Sequence, residues 1–173
     1  MGGHFARKCL NGIYRLYSAT EIVEWTKAVE DVFPDYTGRI RCFGRDWLCN
    51  QFCLDRGREQ QAGEKLILLF EIATGKVLKI PETFEGFHES LLIDDADAAL
   101  AEQLFTRWRI DDPKPLSGSE CVGYKVPLFL GGKDDFENLE RTDSDVYWSL
   151  TGQMLMNTRG VPPGTKIDSV GSA

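Results

Sequence analysis

The segment KLILLFEI, residues 65–72, is apolar at nearly every position. A strand with one wet face alternates apolar and polar side chains. A run apolar on both parities suits a central strand covered on both faces. The flanking sequence keeps the two-residue period. GRIRCFG sets Ile40 and Cys42 against Arg39 and Arg41. Gly44, Arg45 and Asp46 read as a turn, and WLCNQFCLD continues as a strand with Leu48, Phe52 and Leu54 on one face. RGREQQAGE is a polar loop, ATGK turns the chain, and KVLKI returns. Residues 38–80 therefore read as a four-stranded antiparallel meander.

Helical signals surround it. SATEIVEWTKAVEDVF, residues 18–33, opens on a capping box, Ser18 with Glu21, in which each side chain satisfies a free backbone N–H. Tyr17 and Ile22 stand where a hydrophobic staple would, and Ile22, Trp25, Val29, Val32 and Phe33 make one apolar stripe. Pro34 ends the helix. A short helix is expected over about 83–92, with Phe84, Phe87, His88 and Leu91 on one side. A second is expected over about 95–109, with core residues Leu100, Leu104, Phe105 and Trp108. Asp94, Asp95 and Asp97 at its start, and Arg107 and Arg109 at its end, complement the macrodipole. DDPKPLSGSE is a loop.

CVGYKVPLFL then reads as extended, with Pro127 on an edge or at a bulge. FENLER reads as its partner strand, so that Gly131 and Gly132 supply φ > 0 in the connecting turn. Thr142 and Asp145 signal the start of a helix over about 143–157, although the aromatic and β-branched VYWSL also suits a strand. Gly152 inside it costs about 1 kcal/mol against Ala. The fold class is α+β: an antiparallel sheet extended by the 121–141 hairpin, with helices packed on it. Residues 1–173 are expected to form a single domain, with 1–11 and 168–173 flexible.

Several chemistries are disfavoured by spacing. GGKDD places aspartates where a phosphate loop needs Ser or Thr, and two acids there repel phosphate. The glycines precede the acids, against the calcium-loop register. Cys9, Cys42, Cys49, Cys53 and Cys121 are odd in number and include no C-x-x-C. They read as small buried thiols, with no disulfide framework and no metal site. His88, between Glu85 and Glu89, has the neighbours of a general base. It also falls on an apolar stripe, where a half-buried structural histidine is commoner. No catalytic residue and no cofactor is assigned.

Charge is informative. The net charge is -7, but residues 1–81 carry 10 acids and 12 Lys or Arg, whereas residues 82–173 carry 17 and 8. The second part, at -9, repels nucleic acid and anionic membrane and attracts a basic partner. Its expected contact acids are Glu82, Glu85, Glu89, Asp94, Asp95 and Asp97, with Asp134, Asp135 and Glu137. Asp94 and Asp95 also suit a capping role.

RIRCFGRDWLCNQFCLD, KIPETFEGFHESLL and, most distinctively, CVGYKVPLFLGGKDDFENLERTDSDVYWSLTGQMLMNTRG resemble the type VI secretion immunity protein family, named for a member that neutralises a secreted DNase toxin. The resemblance runs from about Gly12 to Ile167. It implies a cytoplasmic, non-enzymatic protein that binds a cognate toxin, here a basic nuclease domain, and it carries over no catalytic residue. Two readings from other classes stand beside it. One is a small-ligand or metal-dependent enzyme using His88 and an acidic cluster. The other is a regulatory module that adds a peptide strand beside the Pro127 edge.

Overall fold

The computed structural model describes residues 12–57 and 67–161. Expectations for residues 1–11, Cys9 among them, most of the 56–64 loop and the 168–173 tail lie outside the described residues. Five antiparallel strands form one sheet in chain order: β1 (Tyr14–Leu16), β2 (Ile40–Asp46), β3 (Gln51–Asp55), β4 (Ile67–Glu71) and β5 (Lys76–Ile80). The expected meander is β2 to β5, and β1 is an addition. In β4, Ile67 and Leu69 enter one apolar cluster while Leu68 and Phe70 enter the other. Both faces are covered, as its apolar sequence requires.

One face packs against α1 (Ala19–Val32) and α4 (Ser144–Thr158). The Ser18–Glu21 capping box forms as expected. Trp25, Val29, Val32 and Phe33 are buried, each worth about 1.5–3 kcal/mol by removal from water. Residues 144–158 are helix, not strand. The N-cap is Asp143, one residue after the expected Thr142: its carboxylate accepts from the amides of Asp145 and Val146. A Cβ on Gly152 would stand 2.6 Å from Val32 Cγ2, so the glycine permits the close approach of α1 and α4. The Trp148 indole donates to the Ala28 carbonyl at 3.1 Å across the same contact.

The other face carries the helical segment 84–111. Its first part is continuous but irregular: Phe84–Gly86, a π-helical turn Phe87–Leu91, then Leu92–Asp94. The helix expected over 95–109 is two helices, α2 (Ala96–Leu100) and α3 (Glu102–Asp111), broken at Ala101 with φ 50°. Side chains distant in sequence or around the break stabilise it. Asp97 accepts from the Gln103 amide at 2.8 Å, and the buried Trp47 indole donates to the Leu100 carbonyl at 2.9 Å.

The turn expected at Gly44–Asp46 is strand instead. The chain reverses over Trp47–Asn50, because Asp46 accepts from the Leu48 and Asn50 amides and from the Asn50 side chain, each at 2.9 Å. Cys49 there takes φ 66°. Gly44 serves a different purpose: a Cβ would come 2.5 Å from the Arg15 carbonyl of β1. Cys42 and Cys53, expected as thiols, are register partners across β2 and β3 and form a disulfide. Cys49 and Cys121 are free and buried.

The expected 121–141 hairpin is shorter and separate. β6 (Glu120–Tyr124) and β7 (Leu139–Asp143) pair as their own two-stranded sheet, joined to the first through the Val122 amide and the Trp47 carbonyl at 2.7 Å. Residues 126–130 are not strand. Pro127 is buried at the start of a 3-10 turn, Leu128–Leu130, so it forms no sheet edge for a peptide to join. No helix among the described residues is long and apolar enough to cross a membrane.

Burial pushes the Asp46 carboxyl up to about 7, against the Asn50 and Leu48 donors, which favour its ionised form. An unfolded aspartate titrates near pH ~3.9, so the folded state holds a proton that the unfolded state has lost. Stability from this group is therefore full below about pH 4, declines as pH rises, and levels off above about pH 7. Asp46→Asn should remove a slope of up to about 1.4 kcal/mol per pH unit, read by urea denaturation from about pH 4 to about pH 8. Identical pH profiles for the two proteins would assign the slope elsewhere.

Candidate partner interface

The first group of expected contact acids lies on the 82–97 segment. Thr83 caps it, its hydroxyl accepting from the Gly86 amide at 2.7 Å. Phe87 is fully buried, with its ring 5.0 Å from that of Phe52, and this anchors the segment to the sheet. The outward side shows Glu85, Glu89 and Asp94 exposed, with Phe84 and Ile93 beside them in sequence at 37% and 38% exposure. Phe84 is expected on one side of a short helix with Phe87, His88 and Leu91. It retains ring contacts with Phe43 and His88, yet part of it reaches solvent. Ile93 lies one residue beyond the helix expected over 83–92. A π-helical turn changes which residues share a face, and no local pattern signals one.

Other acids of this group have structural work. Asp95 accepts from the Ala98 amide, and Asp97 accepts from the Gln103 backbone amide and side chain in the first turn of α3. Glu82 is half-buried, and its carboxylate would lie 2.6 Å from a Cβ on Gly86.

The second group lies in the loop between β6 and β7, which Asn138 organises. Its side chain accepts from the Val126 amide at 2.9 Å and donates to the carbonyls of Val126 (2.9 Å) and Lys133 (2.8 Å). Gly131 takes φ 85°, and a Cβ on Gly132 would overlap the Val126 carbonyl. The two glycines thus serve a side-chain-pinned loop rather than a tight hairpin turn. Asp134 accepts from the Tyr124 hydroxyl at 2.6 Å, and Asp135 caps the Phe136–Asn138 turn. Burial and the adjacent Asp134 carboxylate raise the Tyr124 pKa far above the usual phenol value. Glu137 is exposed, and Arg107 of α3 lies 4.6 Å from the Phe136 ring. Both acidic segments pack on the same apolar cluster: Phe87 and Leu92 enter it from one, Tyr124, Leu139 and Phe136 from around the other.

His88 is engaged at both ring nitrogens, with the Phe84 carbonyl at 2.7 Å and the Tyr14 hydroxyl at 2.9 Å. Burial lowers its pKa in spite of that carbonyl and the nearby Glu85. It ties the helical segment to β1. Among the described residues no group of three or more His, Cys, Asp or Glu is placed to hold a metal ion.

No curated protein matches the chain. The crystal structure of Atu4351 from Agrobacterium tumefaciens is similar in fold, with a TM-score of 0.57 at 14% identity, over 88% of this chain and 81% of that one. The family described as "T6SS immunity protein Tdi1, C-terminal" matches residues 81–155. That stretch holds both acidic segments, the Asn138 loop and most of α4. Of the resembling sequences, RIRCFGRDWLCNQFCLD lies outside it. The family that the sequence resembles is thus the family whose model residues 81–155 match, the type VI secretion immunity proteins of the Tdi1 C-terminal type.

Proposed function

We propose that this protein neutralises a cognate type VI secretion toxin in the cytoplasm by covering the active or DNA-binding surface of a basic nuclease domain. The observation that carries the reading is the coincidence of charge and family. The acid excess falls on the segment that matches an immunity family, where residues 82–155 carry 16 acids and 6 Lys or Arg. A nuclease must present Lys and Arg to phosphates, and an acidic partner can occupy that surface and speed encounter. Glu85, Glu89, Asp94 and Glu137 are the exposed acids best suited to contact. Phe84 and Ile93 supply apolar area of the kind that interface centres need. Glu82 contributes to the field, and Asp95, Asp97, Asp134 and Asp135 do so while also holding local structure.

Inhibition by occlusion requires no chemistry of the immunity protein itself. The engagement of both His88 nitrogens by protein groups supports a non-enzymatic role over general-base catalysis. Co-expression with the product of the neighbouring toxin gene should give a complex on a sizing column and restore growth. A toxin that elutes alone and remains lethal would refute the proposal.

A further inference from the structure

A cleft of ≈ 800 Å³ opens between α1 and α4, on the side of the sheet away from the acidic segments. Its lining includes Arg15 and Arg45. These are direct register partners across β1 and β2, so their side chains leave the same face of the sheet. Like charges placed directly opposite are destabilising, and a buried charge is costly unless paired.

The compensation is incomplete. Arg15 is ion-paired with Glu21, whose other oxygen completes the capping box by accepting from the Ser18 amide at 2.8 Å. Arg45 is only 3% exposed. It donates to the carbonyls of Gly118 at 2.7 Å and Glu120 at 3.4 Å, and lies 5.6 Å from the Trp25 ring. No carboxylate among the described residues lies within ion-pair distance of it. The Cys49 sulfur, 4.0 Å away, is a weak acceptor. A Cβ on Gly118 would overlap the Arg15 guanidinium, so the glycine keeps the two cations together. Ser119, Ser144 and Ser149 also line the cleft, as do the acids Glu24 and Asp145 and the Asp31 carboxylate, which is paired with Lys27 at 2.9 Å.

We propose that this cleft binds an Asp or Glu side chain of a partner protein, flanked there by Lys or Arg, with Arg45 and Arg15 receiving the carboxylate and Glu24 and Asp145 meeting the flanking cations. Two guanidiniums with one internal carboxylate leave room for a second. The acids of the lining disfavour a polyanion and suit an acidic residue set in a basic surface. The proposal holds for any partner of that chemistry and does not depend on the partner's being a nuclease.

Trp25 and Trp148 line the cleft and report its occupancy by fluorescence. The blocked tripeptide acetyl-Lys-Glu-Lys-amide should give a saturable change, and acetyl-Lys-Gln-Lys-amide should bind at least about tenfold more weakly, as loss of a charge-assisted contact implies. Arg15→Gln, at a half-exposed position, should erase most of that preference, whereas Glu24→Gln should weaken both peptides alike. Equal binding of the two peptides, or no saturable change, would overturn the assignment. So would saturable binding of inorganic phosphate with no response to the Glu peptide.

Discussion

Trp47→Ala is expected to destabilise the fold by about 4 kcal/mol, near the upper end for a large-to-small core change. Trp47 is 1% exposed, with its ring 5.2 Å from Phe105 and 6.0 Å from Trp108. Its indole N–H serves the Leu100 carbonyl at the break between α2 and α3. Removing it leaves a cavity between the sheet and α3, and deprives that carbonyl of the indole donor. Trp47→Phe keeps much of the packing and loses only the donor, so its cost should be smaller, about 1–3 kcal/mol. Urea denaturation measures both. The total stability of a domain is about 5–15 kcal/mol, so the alanine variant should be visibly weakened or unfolded. An alanine variant within about 1 kcal/mol of the parent would mean that the helix break is held by something other than the indole.

Glu85→Lys, Glu89→Lys and Asp94→Lys together should slow association with a basic toxin by about a hundredfold at low salt, within the 10–10³ range of electrostatic steering. All three are exposed and make no capping bond, so the change acts on the field with little expected cost to the fold. Raising the salt should shrink the difference, because the screening length falls from about 30 Å at 0.01 M to about 8 Å at 0.15 M. Phe84→Ala should act mainly on dissociation, as loss of apolar contact does. Reversal at Asp134 or Asp135 is a poorer test, since it would also break the Tyr124 bond or the Phe136–Asn138 cap. Stopped-flow mixing separates the two rates. A folded triple variant that associates as fast as the parent would remove the 85–94 surface from the interface.

The elements most legible in the sequence are those whose signals are local. The apolar stripe and capping box of residues 18–33 lie within one helix, and α1 follows them within a residue at each end. The two-residue period over 38–80, with KLILLFEI covered on both sides, predicts the meander and the burial of β4. The acidic bias of residues 82–173 is simple counting.

The misplaced elements depend on groups distant in the chain. Gly44 read as a turn residue, but the turn belongs to Asp46, whose carboxylate gathers donors from Leu48 and Asn50. Residues 95–109 carry a helical pattern throughout, yet the break at Ala101 is completed by Trp47, 53 residues from Leu100. The loop after Tyr124 resembles a hairpin until Asn138 is placed against Val126 and Lys133.

By itself, then, the sequence determined the helix after Ser18, the meander over 38–80 and where the acids gather, because periodicity, caps and net charge act over a few neighbouring residues. Only the tertiary structure decided the register of β1 on β2, and with it the meeting of Arg15 and Arg45 above Gly118. Pairing of that kind is set by packing between segments tens of residues apart, and no local pattern encodes it.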